Sequence, residues 1–372
     1  MNNCDVIVTY CWNRVGYNII RSLCLHGLRV VVGDTSKSNI CSRSKYSKGN
    51  FIYADPFTDE EKFIEDLKKA VETYRPKVLV PTHDEALVIA RHIDKMPQDT
   101  IYAMESYEMQ YRLSDKLQST KIAQAAGVPT PRILTRQQVS SYPVVVKTKF
   151  GNSAKGVFFP KNMEELDSLL SGLSPDDILI EEFFAGRDYS VDCVRYDSFF
   201  CATSYKSLVT KTHGGGTTTQ RELVSMPILE EYARKILDAS CYKGVCGIDF
   251  KVNETTGEAV FIEVNTRYTG GLATPIAAGF DIPYIHYKLV TEREYKEPIT
   301  PVIGTRTKWI LGDLIALVTK VVERTLTKDE LRRILSFKFD AFDDFDKNDK
   351  RAILGELSYY LNKLLKNRKL NP

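Results

Sequence analysis

Gly247-Ile-Asp-Phe-Lys251 and Glu263-Val-Asn-Thr-Arg267 lie on either side of the turn-rich segment Asn253-Glu-Thr-Thr-Gly-Glu258. Val245–Val252 and Ala259–Asn265 alternate like strands, and the segment between them has turn composition. A hairpin centred on Thr256 sets Asp249 opposite Glu263 and Lys251 opposite Phe261. Side chains alternate along a strand, so Glu263, Asn265 and Arg267 share one face with Asp249. Opposed carboxylates repel unless a positive charge lies between them. Two acids and a carboxamide are hard oxygen ligands of the kind Mg²⁺ takes, together with substrate phosphates. The other reading is a solvated hairpin face whose acids meet lysines. Gly270-Gly271 and the apolar run after Arg267 point instead to a closely packed site.

Two upstream segments add to this. In Tyr142-Pro-Val-Val-Val-Lys-Thr-Lys-Phe-Gly-Asn-Ser-Ala-Lys-Gly156 an apolar strand ends in Lys147. A small-residue loop follows, bounded by Gly151 and Gly156 and containing Ser153. Free backbone N–H groups in such a loop can cradle phosphates, and a lysine on an apolar strand favours an anionic ligand. Gly156 leads into Val157-Phe158 and another strand, so this is no Walker A loop; an ordinary hairpin loop is the alternative. In Ile178-Leu-Ile-Glu-Glu-Phe-Phe-Ala-Gly-Arg-Asp-Tyr-Ser190, a strand runs into acids and aromatics. That mixture suits an adenosine: a flat apolar wall, backbone groups for the ring edge, a carboxylate for ribose hydroxyls.

Toward the N-terminus, strands (Asp5–Tyr10, Leu28–Gly33, Lys77–Pro81) alternate with helices, the helix to Tyr74 opening on a capping box of Thr58 and Glu61. The next helix is expected over Asp84–Lys95. Alternation of this kind implies a parallel, doubly wound sheet. The turn Cys11-Trp-Asn-Arg-Val-Gly16 holds one glycine where a dinucleotide fingerprint needs three, although Asp34 stands where a ribose-binding acid would. A Rossmann-like scaffold without dinucleotide is expected. From about residue 113 the pattern becomes α+β, starting with a helix capped by Ser114, and the last seventy residues return to helix.

The 372 residues carry 51 Lys plus Arg against 48 Asp plus Glu, a net charge of +3 that argues against a dedicated nucleic-acid binder. No apolar run is long enough to span a membrane, and Met1-Asn-Asn-Cys-Asp5 lacks the basic start of a signal peptide. Eight cysteines without a C-x-x-C pair suggest neither a disulfide scaffold nor a zinc site. A cytoplasmic protein is expected.

Taken in order, the three segments resemble the ATP-grasp superfamily, over roughly residues 1–300, and within it the carbamoyl-phosphate-synthase-like carboxylate–amine ligases. The resemblance implies a Rossmann-like pre-ATP-grasp domain (1–112) and a two-lobed ATP-grasp fold (113–300, small lobe to about 184). A mainly helical C-terminal extension (301–372) follows. It implies ATP and Mg²⁺, with Mn²⁺ as a substitute. Lys116 and Lys147 then resemble the phosphate-contacting lysines, and Gly151–Gly156 with Ser153 the flap over the phosphates. Glu181 resembles the adenine-edge acid, with the backbone of Glu182 and Phe184 beside it, and Asp188 the ribose ligand. Asp249, Glu263 and Asn265 resemble the metal ligands, and Arg267 the catalytic arginine. The D-alanine-joining ligases carry arginine two residues before the first metal acid; here that position is Gly247.

The expected activity is ligation of a small carboxylate to an amine, or to a thiol, through an acyl phosphate, releasing ADP and phosphate. The alternative class is a nucleotide-binding module without turnover, acting as sensor or assembly partner. A homo-oligomer is compatible with either. Acceptor contacts are expected in a loop between Tyr205 and Arg221, where Lys206, Lys211, His213 and Arg221 are placed to meet carboxylates. A basic surface loop is the other reading of that segment. The apolar stretch Trp309–Val322 is expected to pack on its own core rather than on a membrane or partner helix.

Overall fold

The computed structural model describes residues 3–151, 156–212 and 215–367. Five strands, β1 (Val6–Val8), β2 (Val30–Asp34), β3 (Ser47–Ile52), β4 (Val78–Val80) and β5 (Ile101–Tyr102), form a parallel sheet in the order β3-β2-β1-β4-β5. Helices α1 (Arg14–Leu25), α2 (Glu60–Tyr74) and α3 (Glu85–Arg91) lie between its strands in sequence. The apolar runs of β1, β2 and β4 are buried throughout, as strands covered on both faces must be. The capping of α2 differs from expectation: Asp59, not Thr58, accepts the Lys62 N–H. The expected Asp84–Lys95 helix stops at Arg91 and continues only as a 3₁₀ turn, Ile93–Lys95.

Helices α4 (Tyr107–Ser114) and α5 (Lys116–Ala125) lead out of this sheet. The cap of α5 is Asp115, whose carboxylate accepts from Leu117 and Gln118; Ser114 ends the preceding helix. Next comes a small antiparallel sheet in the order β6-β9-β7-β8, built from β6 (Ile133–Leu134), β7 (Val144–Thr148), β8 (Val157–Phe158) and β9 (Ile178–Glu182). Helix α6 (Met163–Ser171) sets Leu166 into the core of this sheet with Val144, Val146 and Ile180.

The third sheet comprises β10 (Arg187–Tyr196), β11 (Phe199–Thr212), β12 (Gly215–Val224), β13 (Gly244–Val252), β14 (Ala259–Asn265), β15 (Arg306–Lys308) and β16 (Ala341–Phe342). Their order is β14-β13-β10-β11-β12-β15-β16. Helix α7 (Pro227–Ser240) covers one face with α5, burying Leu229, Ala233, Ile236 and Leu237 against Val191, Ile248 and Phe261. After β14, α8 (Ala273–Ala277) and α9 (Ile282–Glu292) return to the N-terminal sheet. There Leu272, Phe280, Ile282 and Ile285 share one core with Val6, Val8 and Ile20.

The segment expected to be an acceptor loop is instead mostly ladder. Lys206–Thr212 and Gly215–Arg221 belong to β11 and β12, because the threonine-rich run has β-branched side chains suited to a pleated surface. Arg221 is buried in an ion pair with Asp343 at 2.8 Å, and Lys206 lies 3.5 Å from Glu222. Lys211 sits 5.6 Å from the Trp309 ring centre, and His213 lies outside the described residues.

Helices α10 (Ile310–Val322), α11 (Lys328–Leu335) and α12 (Lys350–Asn367) complete the chain. Helix α10 buries Gly312, Ala316 and Lys320, while Leu314, Val318, Val321 and Val322 stay exposed. Asp343 accepts from Arg14 at 3.1 Å as well as from Arg221, and Arg14 lies 3.8 Å over the Trp309 ring. Helix α12 packs so closely on the loop after β2 that a Cβ at Gly355 would stand 2.2 Å from the Asn39 oxygen. Among the described residues no helix is long and apolar enough to cross a membrane.

Candidate active site

The site is built on β13 and β14. Asp249 does pair with Glu263, and Gly247 with Asn265. A bulge after that pair shifts the register, so Lys251 faces Val260 rather than Phe261. The extra residue is Ile262, and the Lys147 ammonium lies 3.5 Å from its carbonyl oxygen. One irregularity in a strand thus aims a backbone acceptor across the cleft at the neighbouring sheet.

Asp249 is held on two sides. Ser190, its partner on β10, donates to Oδ1 at 2.5 Å, and the Asn265 amide donates to Oδ2 at 3.0 Å. Burial, and then the adjacent Glu263 carboxylate, push the Asp249 carboxyl up to about 7. Two neighbouring carboxylates plus a carboxamide oxygen form a hard donor set whose mutual repulsion a divalent cation would relieve. The donors present therefore fit Mg²⁺, with phosphate oxygens to complete the shell. Among the described residues no group of three His, Cys, Asp or Glu gathers anywhere to offer an all-protein cage.

Across the cleft stand two lysines. Lys116, in the first turn of α5, donates to the Gly151 carbonyl at 2.8 Å and lies 3.4 Å from Glu263. Lys147, at the end of β7, pairs with Glu181 of β9 at 2.8 Å. These two side chains are 4% and 3% exposed. Burial raises the Glu181 carboxyl, while Lys147 and then Lys116 pull it back. Lys116, Lys147, Glu181, Asp249, Glu263 and Asn265 thus converge from α5, β7, β9, β13 and β14.

Other expected residues have partners of their own around this cluster. Asp188 is paired with Lys251 at 2.6 Å. Glu182 pairs with Arg132 at 2.7 Å, and its N–H donates to the Arg132 carbonyl. Phe184 is half-buried beside Gly186. Gly151 and Gly156 both take positive φ, 128° and 76°, and a Cβ at Gly156 would stand 2.6 Å from the Thr148 hydroxyl. Ser153 lies outside the described residues.

Arg267 follows the end of β14, and its Nε donates to Asp84 at 2.9 Å. Its ion-pair partner thus comes from the N-terminal region, beyond β4, and not from the neighbouring Glu263. Asp84 opens α3 just after β4, at the carboxyl end of a parallel strand where ligand sites gather. The sequence reading missed it, together with Ser190, although Ser190 lies two residues beyond Asp188 on an alternating strand. It also missed Lys251 as the partner of Asp188.

The Asn13 side chain caps α1 by accepting from Val15 at 2.8 Å and Gly16 at 3.1 Å, taking donors a pyrophosphate would use. Gly247 also acquires a physical reason. A Cβ there would lie 2.0 Å from Thr269 Cγ2, so the arginine of the D-alanine-joining ligases does not fit.

Residues 174–312 match a family model described as ATP-grasp in the biosynthetic pathway with Ter operon. The carbamoyl phosphate synthase large chain of Pseudothermotoga lettingae is 27% identical over 303 residues, covering 73% of this chain and 26% of that protein. The chain thus spans about a quarter of the length of the carbamoyl phosphate synthase chains it matches. The biotin carboxylase domain of Hydrogenobacter thermophilus 2-oxoglutarate carboxylase, solved as a dimer with MgADP, ADP and bicarbonate, superposes with a TM-score of 0.65. That match has 15% identity over 82% of this chain and 73% of that one. The L-amino acid ligase of Bacillus licheniformis gives 0.63, with 15% identity over 81% and 78%. A Rossmann-like sheet, a small antiparallel sheet and a larger mixed one, with lysines of α5 and β7 near the acids of the β13–β14 hairpin, agree with these likenesses: the chain is similar to the ATP-grasp superfamily and, within it, to carbamoyl phosphate synthase.

Proposed function

We propose that the protein is an ATP-dependent carboxylate–amine ligase working through an acyl phosphate. The observation that carries this reading is the convergence of Lys116 and Lys147 on the β13–β14 hairpin, Lys116 beside Glu263 and Lys147 paired with Glu181 and facing the Ile262 carbonyl. The cleft between residues 113–184 and 185–300 would take the nucleotide. Lys116 and Lys147 neutralise its phosphates, Glu181 with the Glu182–Phe184 backbone meets the adenine edge, and Asp188 takes the ribose. The glycine-flanked segment Gly151–Gly156, with Ser153, would close over the phosphates. The MgADP held by the Hydrogenobacter domain supports this assignment.

Asp249, Glu263 and Asn265 would hold Mg²⁺, which when bound supplies charge neutralisation at the transferring phosphoryl group. A substrate carboxylate oxygen attacks the γ-phosphorus, the bond to the β-phosphate oxygen breaks, and ADP leaves. Such transfer depends mainly on positioning and electrostatics, which the two lysines supply. An amine then attacks the acyl carbon, losing a proton as inorganic phosphate departs with the C–O bonding pair. Arg267, five N–H donors with a permanent charge, holds the substrate carboxylate and then the oxyanion of this second step. To do so it exchanges or shares its contact with Asp84.

An ADP-release screen over pairs of amino acids and other small carboxylates, with mass spectrometry of the products, tests the reading. Carboxylate-dependent ADP release with an amide product is expected. Tight ATP binding without ADP release for any pair would favour a sensor or assembly module.

A further inference from the structure

A cavity of about 470 Å³ lies at the carboxyl ends of β1, β2 and β3, away from the lysine–carboxylate cluster. Small-molecule sites typically enclose roughly 300–1,000 Å³, and open α/β sheets bind ligands outside the carboxyl ends of their strands. Its walls come from two distant parts of the chain: the turns after β1, β2 and β3 on one side, and α12 on the other. Trp12 and Tyr359 stack across that junction with ring centres 5.0 Å apart and planes 13° apart, both half-buried. Tyr10 meets Trp12 edge-on at 5.8 Å. The result is a flat aromatic wall.

Beside it stand two cations, Lys37 and Lys363, the latter 5.5 Å over the Trp12 ring, against a single lining acid, Asp55. Ser36 adds a hydroxyl to the lining. Asp34, immediately before this lining, is 2% exposed; its Oδ1 accepts the Ser36 N–H at 2.8 Å, while Oδ2 is buried without a partner. A ring wall and a positive balance call for one kind of occupant.

We propose that this cavity binds a small molecule that pairs a flat unsaturated ring with an anionic group, either an aryl carboxylate or a ring-bearing phosphate. The ring lies on Trp12 and Tyr359, and the anion meets Lys37 and Lys363. Tyr10, which lines the cavity, also packs on His83 with ring centres 5.2 Å apart, and His83 neighbours the Asp84 that holds Arg267. These contacts connect the cavity to the Arg267 end of the site, and we assign its occupant as a substrate; that role, unlike binding itself, rests on the ligase reading.

Calorimetric titration of the full chain, saturated with MgADP, uses 4-hydroxybenzoate and phenyl phosphate as probes. Acetate, inorganic phosphate and benzyl alcohol serve as single-feature controls. One ring-bearing anion should bind saturably and the controls should not, and the preferred probe tells carboxylate from phosphate. Lys37→Ala, at an exposed position, should weaken that binding roughly tenfold or more, as expected for a charged hydrogen bond. The same probe should quench tryptophan emission in the wild type but not in Trp12→Phe, which leaves only Trp309 as emitter. Absence of binding by both probes, equal affinity in Lys37→Ala, or unaltered quenching in Trp12→Phe would overturn the proposal. So would probe binding that appears only when MgADP is left out, which would place the probe in the nucleotide cleft. None of these readouts needs turnover, so the cavity and the ligase reading fail separately.

Discussion

Lys147→Met is the most informative single perturbation, because it removes one half of a pair that is almost wholly out of water. Lys147 and Glu181 are 2.8 Å apart, with side chains 4% and 3% exposed. Removing one partner of a buried ion pair costs about 3–5 kcal/mol, since a charge is left without compensation. Lys116 also acts on Glu181 and softens that loss, so the lower end, about 3 kcal/mol, is expected. Burial already raises the Glu181 carboxyl, and losing Lys147 raises it further. Above the ordinary Glu value of about 4.3 and below the raised one, the folded state then holds more protons than the unfolded state. Stability must fall as pH rises through that window, so the deficit of Lys147→Met is larger at pH 8 than at pH 5. Lys147→Met/Glu181→Met removes both charges and should recover most of the loss. Urea unfolding of the wild type, the single and the double variant at both pH values measures all of this. A single variant as stable as wild type at pH 8, or a double variant no better than the single, would refute the reasoning. In the double variant, ATP affinity should still be weaker by roughly 1.5–3 kcal/mol, the contribution of hydrogen bonds to charged groups.

Three further outcomes are expected. Glu263→Gln should keep the fold and abolish turnover; unchanged turnover at limiting Mg²⁺ would remove Glu263 from the metal set. Arg267→Ala should retain ATP binding by calorimetry while kcat for ligation drops ~10²–10³, the usual loss for an oxyanion donor; a parallel fall in stability and nucleotide affinity would make its pair with Asp84 purely structural. Asp343→Asn leaves the buried Arg14 and Arg221 without their shared carboxylate; denaturant unfolding should show a loss of about 3–5 kcal/mol, and an unchanged midpoint would show that this junction does not hold the C-terminal segment to the rest.

The β13–β14 hairpin was legible because its alternation is strict and its turn composition plain, which sufficed to set Asp249 against Glu263. The bulge at Ile262 was not, since no residue there has a special backbone preference; it is visible only through the ladder it interrupts. Lys206–Arg221 misled because three glycines mark a loop more loudly than threonines mark a strand, and the tertiary ladder won. Strand β3, Ser-Lys-Gly-Asn-Phe-Ile, is a polar edge strand with little periodic signal. Helix α6 did carry one: Asn162 accepts the Glu165 N–H, a cap readable from their spacing. Pairs such as Arg267–Asp84, 183 residues apart, and Asp343 with Arg14 and Arg221 join segments that only the assembled fold brings together. The cavity under α12 belongs to the same class, since neither Trp12 nor Tyr359 signals the other.

The central claim is the acyl phosphate, and trapping with hydroxylamine tests it most directly. Wild-type protein incubated with MgATP, hydroxylamine and the carboxylate found by the ADP-release screen should yield the hydroxamate together with equimolar ADP and phosphate. Glu263→Gln, run in parallel, should yield neither. Release of AMP and pyrophosphate instead of ADP, or ADP release from the active protein with no hydroxamate formed, would contradict the account.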